Sequence, residues 1–311
     1  MAGAAAPRRR LATDPIARLR GARGDAGPSA FLATFPRLAR VTSEAWALAG
    51  RAAEAAGVEL RPLRSLEDCD AIIEVMIATW GDHQTIPREM IRALGESGNV
   101  PYGAFSGPAL IGYVLGWAGV DPHEGLHLHS HMLATLPDRR HAGVGYALKL
   151  AQRAQGLEQG ISVARWTFDP LVARNAYFNL HKLGAVADRF ERNFYGEMTD
   201  ALNRGERSDR FVIRWDLERE PEPRALDWDA PEVIDEEWNF VGLPPEAERG
   251  VLVRTPADLL ELRERNPELA ARCRDAVAGA IEACLAAGLV AVGFLRHEGV
   301  SGYVIAKEPA R

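Results

Sequence analysis

Cysteine is scarce in this sequence, and the spacing of the three cysteines excludes two common kinds of structural site. Cys69, Cys273 and Cys284 are odd in number, and no two of them form a Cys-x-x-Cys pair. A disulfide framework and a zinc site are therefore not predicted, and no metal ligand set is expected. Unpaired cysteines within helical patterns fit a reducing compartment, so the sequence predicts a cytoplasmic protein.

The sequence also lacks long apolar runs and clustered positive charge. It has no stretch of 18 or more apolar residues, so no membrane span and no membrane partner are predicted. The formal net charge is −6 and the basic residues are spread, which argues against a nucleic-acid partner. With 47% hydrophobic and 26% charged residues in 311, the composition is that of a globular protein long enough for two domains.

The first 56 residues differ from the rest of the chain. They begin MAGAAAPRRR and hold nine arginines against four acidic residues, without the apolar segment of a secretory signal. We expect residues 1–56 to be an Arg- and Ala-rich extension, partly disordered or helical. A targeting role and an anion-binding role both remain open for it.

A glycine loop at residues 140–145, with the sequence RHAGVG, is the most informative motif. It lies between a strand pattern at 126–136 and a helical pattern at 146–155. Glycines that open a helix leave backbone N–H groups free at the positive end of the helix dipole, where they bind a phosphate or pyrophosphate. A plain glycine-rich turn is the alternative.

The spacing of this loop excludes two better-known phosphate loops. No Lys-Ser/Thr pair follows it, as a P-loop needs, and Leu148 stands where the dinucleotide fingerprint has its third glycine. The remaining pattern, Arg-x-x-Gly-x-Gly, resembles the acyl-CoA pyrophosphate loop of the GNAT N-acetyltransferase superfamily.

The order of predicted elements supports the same resemblance. Strand and helix patterns follow one another as β-α-α-β-β-β-α-β-α-β between residues 57 and 218. The resemblance implies an α/β (α+β) fold with a mixed central sheet flanked by helices. A charged, proline-broken segment at 219–250 predicts a linker, and 251–311 predicts a small α+β unit that could extend the sheet.

The resemblance also implies which residues hold an acyl-CoA. The pyrophosphate would lie on the loop and the first turn of the helix, and the pantetheine arm would pair with the strand segment 132–136. Asn175 or Asn179 would bond that arm. The candidate cofactor residues are Leu133, Thr135, Arg140, His141, Ala142, Gly143, Val144, Gly145, Tyr146 and Asn175.

Three histidines on the strand before the loop are candidates for the catalytic base. His127, His129 and His131 are two apart, so they share one face of a strand. A histidine near its ordinary pKa can accept a proton from an ammonium at neutral pH. His131 is the first candidate and His129 the second; a metal site and a structural polar ladder are the alternatives.

The residue for the general acid departs from the pattern of the superfamily. The superfamily usually places a tyrosine on the helix after the fifth strand, where this chain has Leu180. Tyr177 lies one turn earlier and is the substitute we expect, with His181 second. A core role for Tyr177 is equally open.

Together these features predict an acyl-CoA-dependent N-acyltransferase. The donor would be acetyl-CoA or another acyl-CoA such as succinyl-CoA, and the acceptor a small amine or an amino acid. Trp117, Trp166 and Tyr195 are candidates for the acceptor pocket or for the core. A homodimer is possible. The alternative function is a catalytically weak acyl-CoA-binding regulatory or interaction module.

Overall fold

The computed structural model describes residues 35–82, 85–122, 124–139, 143–196, 207–223, 226, 230–297 and 300–308. The first elements are α1 (Pro36–Ala55), β1 (Glu59–Pro62), α2 (Leu66–Trp80), α3 (Arg88–Glu96), β2 (Tyr102–Ser106), β3 (Ala109–Asp121) and β4 (Gly125–Thr135). They are followed by α4 (Val144–Glu158), β5 (Val163–Phe168), α5 (Ala173–Ala176), a π-helix (Tyr177–Lys182), β6 (Val186–Glu191) and β7 (Arg210–Asp216). The last are β8 (Val251–Thr255), α6 (Leu259–Arg265), α7 (Pro267–Ala286), β9 (Val290–His297) and β10 (Val300–Ala306).

The ten strands form one mixed sheet with the order β1-β2-β3-β4-β5-β7-β6-β9-β10-β8. All neighbours are antiparallel except β4 and β5, which are parallel. The predicted mixed sheet flanked by helices is therefore confirmed. Strand β6 was not predicted, because it is short and its residues are charged at 188, 189 and 191.

Strands β4 and β5 pair only where they begin. Their register consists of Leu128 with Ala164 and His129 with Arg165. Beyond that second pair the two strands diverge, and no other described strand fills the space between them. We call this space the β4–β5 cleft, and the His129–Arg165 pair is its closed end.

The helices cover both faces of the sheet. On one face α4 lies against the strands, and α1 packs on α4 through Ala45 and Ala49. On the other face α2 and α3 cover β1–β3. Helix α2 begins with a capping box, in which Ser65 Oγ accepts from Asp68 N–H at 3.0 Å and the Asp68 carboxylate accepts from Ser65 N–H at 2.9 Å. Within the described residues no helix is long and apolar enough to span a bilayer.

The C-terminal residues continue the same sheet. Strand β9 joins β6 through the pair Ala187 and Ala291. In the segment predicted as a linker, Val233 and Ile234 are only 1% exposed, because they pack into the main hydrophobic core. That part of the segment is therefore packed rather than free, while the division of the chain into domains stays a prediction.

Candidate active site

The described part of the glycine loop offers free backbone donors. Gly143 is the N-cap of α4, with a φ of +85° that favours glycine. No described residue accepts from the N–H of Val144 or Gly145, whereas the N–H of Tyr146 donates to the Gly143 carbonyl at 3.0 Å. Tyr146 N–H is thus used by the helix itself and is not a donor for an anion.

The structure describes the predicted loop from Gly143 onward. Arg140, His141 and Ala142 lie outside the described residues. The Tyr146 ring is half-buried and packs against the core rather than standing free at the loop. Among the predicted pyrophosphate residues, the structure therefore offers the backbone of Gly143, Val144 and Gly145.

The edge of β4 that faces the cleft is open. Met132 pairs with Leu115, and Leu133 and Thr135 pair with the same neighbouring strand, β3. The described strands provide no partner for the other edge of these residues. An extended chain bearing amides can add to such an edge by strand-like hydrogen bonds.

A β-bulge in β4 places His131 beside this edge. Leu115 pairs with Met132 and Gly116 pairs with Ser130, so His131 is the extra residue. A Cβ at Gly116 would come within 2.5 Å of the His129 carbonyl oxygen, so only glycine permits this approach of the two backbones.

The histidine rings lie together on the face away from α4. The centre of the Trp117 ring is 4.8 Å from that of His129 and 4.9 Å from that of His131, and the two histidines are 5.7 Å apart. His127 lies over Gly119 on this face. The shared face that the two-residue spacing predicts is therefore present.

Both candidate bases have a lowered pKa. Burial, followed by the nearby His131, His127 and Lys149, lowers the pKa of His129 to about 4. Burial also lowers the pKa of His131, which is the more exposed of the two. Each is therefore neutral at pH 7 and can accept a proton. The described residues contain no group of three or more His, Cys, Asp or Glu side chains arranged for a metal ion.

The segment that carries Tyr177 is not the predicted α-helix. It is α-helical only over Ala173–Ala176 and continues as a π-helix, closed by a hydrogen bond of 3.0 Å from Leu183 N–H to the Phe178 carbonyl. Leu180 is fully buried, so it does not share an open side with Tyr177.

Tyr177, Asn179 and Asn175 differ in burial and in their contacts. The half-buried Tyr177 ring stacks on His181 with 4.5 Å between ring centres. Asn179 is buried and its Oδ1 accepts from Trp166 Nε1 at 3.3 Å, whereas Asn175 is exposed.

The three candidate pocket aromatics do not lie together. Trp166 is 7% exposed and faces α4, where it contacts Lys149. Trp117 lies on the histidine face, and the Tyr195 hydroxyl is 3.1 Å from Thr167 Oγ1. Trp166 is thus a core residue.

No protein-family model matches the chain, and no curated protein matches its sequence. The solved structures that match include the ribosomal-protein-S18-alanine N-acetyltransferase of Escherichia coli, with 14% identity, a TM-score of 0.43, and coverage of 54% of this chain and 99% of that one. A second, described as a candidate acetyltransferase of the GNAT family from Desulfovibrio desulfuricans, has 19% identity, a TM-score of 0.40, and coverage of 51% and 99%. A third, a candidate acetyltransferase of Salmonella typhimurium with its cofactor acetyl-CoA, has 17% identity, a TM-score of 0.41, and coverage of 55% and 99%.

Proposed function

We propose that this protein is an acyl-CoA-dependent N-acyltransferase. The observation that carries the proposal is the β4–β5 cleft, which opens beside free N–H groups at the start of α4. Ligands of sheets with parallel strands bind at the carboxyl ends of those strands, where this cleft lies. In this proposal the N–H groups of α4, the open β4 edge and the neutral histidines serve one ligand in this cleft.

The residues present fit an acyl-CoA. The N–H groups of Val144 and Gly145 would bind the pyrophosphate, and the edge from Met132 to Thr135 would pair with the pantetheine amides. The thioester would then lie near the bulge at His131. The nitrogen of an uncharged amine attacks the thioester carbon, the C–S bond breaks, and the acyl group becomes an amide.

The acceptor nitrogen loses two protons in this reaction, and the leaving thiolate gains one. The acceptor enters as an ammonium, and neutral His131 would take its proton. The CoA thiolate leaves and takes a proton from Tyr177 in our proposal. The second proton of the nitrogen, released as the amide forms, restores the Tyr177 hydroxyl through solvent. We propose a small amine or an amino acid as the acceptor, and acetyl-CoA or a similar acyl-CoA as the donor.

Thermal unfolding with acetyl-CoA tests the proposal. A ligand at a hundred times its Kd stabilises the folded state by about 2.7 kcal/mol, so the Tm should rise. Gly145→Asp should abolish the rise, because a carboxylate would repel the pyrophosphate. The variant itself should fold, since an acid in the first helical turn is favourable and a Cβ at Gly145 lies 3.7 Å from its nearest neighbour.

The matched control is Gly145→Ala, which adds the Cβ without the charge and should keep part of the rise. Release of CoA is then measured against a panel of amines, amino acids and a peptide with a free N-terminus. If acetyl-CoA and longer acyl-CoA thioesters leave the Tm of the intact protein unchanged, the proposal is wrong. Binding without CoA release for any acceptor would favour the acyl-CoA-binding module instead.

A further inference from the structure

Lys149 on α4 is buried at the closed end of the β4–β5 cleft. It is 2% exposed, and its amine donates to Ser130 Oγ at 2.7 Å and to Gln152 Oε1 at 3.3 Å. The same amine lies 3.6 Å from the centre of the Trp166 ring. Ser130 and Trp166 directly follow the last pair of β4 and β5, so the amine spans the two strands at the point where they separate.

A lysine at this position is unfavourable for folding. Burial lowers its pKa well below the ordinary value. The described partners of the amine are a hydroxyl, an amide and an aromatic ring, none of which is a carboxylate. With no carboxylate to offset the desolvation of the amine, an apolar side chain of similar size would cost less at this position. A polar group that breaks a packing rule in this way is a candidate for function.

The path of the ligand brings its acyl end to this residue. The anion site at the start of α4 follows Thr135 along the chain, so a pantetheine arm on β4 runs from Thr135 back toward Ser130. Its acyl group then points at the closed end of the cleft. There the side chain of Lys149 lies between Ser130 and Trp166.

We propose that Lys149 determines which acyl chains the cleft accepts, by closing its inner end against long chains. This inference rests on the proposed function. A short acyl group such as acetyl ends before the amine, whereas a longer apolar chain would collide with it. In a pocket of this kind one methylene changes specificity by roughly 10- to 200-fold.

Variants of different length test this directly. The wild type, Lys149→Met, Lys149→Leu and Lys149→Ala are compared with acetyl-, butanoyl-, hexanoyl- and succinyl-CoA, by kcat/KM for CoA release and by the rise in Tm. Methionine keeps nearly the full length, so it should keep the wild-type preference. The leucine side chain ends two atoms earlier, so Lys149→Leu should raise kcat/KM for butanoyl-CoA by about tenfold or more. Lys149→Ala should raise kcat/KM for hexanoyl-CoA by a similar factor. Leucine suits a buried helix position, so the test does not depend on the folding of the alanine variant.

Lys307→Ala is the control. This exposed lysine directly follows β10 and pairs with Glu248, so its removal should leave the acyl preference unchanged. An unchanged acyl preference in the folded leucine variant would overturn the inference while leaving the proposed function intact. Loss of succinyl-CoA use in Lys149→Met alone would overturn it too, because the amine would then bind a carboxylate instead of limiting length. If the wild type binds no CoA thioester at all, the proposed function fails first.

Discussion

At the scale of single residues, the histidine face makes the sharpest prediction. If His131 is the base, His131→Gln should lower turnover by roughly 10²–10⁴-fold while the rise in Tm with acetyl-CoA stays the same. The base works unprotonated, so activity rises with pH through its pKa. Because burial lowers that pKa, the acid limb of kcat/KM should have its midpoint below about 6.5, and the variant should lose the limb.

His127→Gln is the matched control, since His127 shares the face but its Nδ1 lies 3.2 Å from the Gly125 carbonyl, away from the bulge. It should keep turnover and the acid limb. Normal turnover in His131→Gln with an unchanged profile would exclude His131 as the base. His129, with a pKa of about 4, would then be the next residue to test.

The sequence predicts which histidines share this face, but it does not predict the bulge that positions His131. Alternation by two residues predicts that His127, His129 and His131 share a side. The bulge at His131 depends instead on Gly116, which lies on another strand and has no periodic signal of its own. Its role is visible only when the two backbones are placed side by side.

At the scale of elements, the π-helix carries Tyr177, the proposed general acid. Tyr177→Phe keeps the ring that stacks on His181 and removes only the hydroxyl, so the fold should persist. A free thiol has a pKa of roughly 8.5, so the CoA thiolate leaves readily and a missing acid should cost little. We expect turnover to fall about tenfold, or roughly 1.4 kcal/mol in the barrier.

Steady-state kinetics and a thermal melt separate the roles of Tyr177. A loss as deep as that of His131→Gln, with the Tm preserved, would make its hydroxyl obligatory. A large drop in Tm with normal specific activity would identify Tyr177 as a core residue, and His181 would be tested in its place.

The type of this helix could not be read from the sequence. Spacings of three and four fit residues 174–183 well enough to predict an α-helix. The wider turn appears where Asn179 bonds Trp166 and the segment packs on β9, a strand more than a hundred residues later. Such long-range contacts override the helix type that the local spacing predicts. By contrast β4 and α4, which flank the loop, follow from local periodicity to within two or three residues at each end.

At the scale of the whole molecule, the ten-stranded sheet joins the C-terminal strands β8–β10 to the strands of the candidate site. The pairing of Ala187 with Ala291 connects residues that no local motif relates, so the sequence indicated this extension only as a possibility. Asp169, at the end of β5, also lies 3.6 Å from Arg274 of α7. The C-terminal residues thus contact the segment that leads into α5.

A substitution at Tyr303 on β10 tests how strongly the candidate site depends on the C-terminal strands. It is fully buried between Phe211 and Phe294, and its hydroxyl donates to the Pro170 carbonyl just after β5. Tyr303→Phe keeps the ring but leaves that carbonyl without its partner. We expect the free energy of unfolding to fall by about 1–3 kcal/mol in urea denaturation.

The matched control for Tyr303→Phe is Tyr102→Phe. Tyr102 is half-buried, and the described residues offer its hydroxyl no hydrogen bond, so its removal should change stability by less than about 0.5 kcal/mol. Because Pro170 precedes α5, Tyr303→Phe should also raise the KM for the amine acceptor or lower kcat, while binding of acetyl-CoA at the α4 loop persists. Equal stability of the two variants would mean that the Tyr303 hydroxyl does not tie the C-terminal unit to the site.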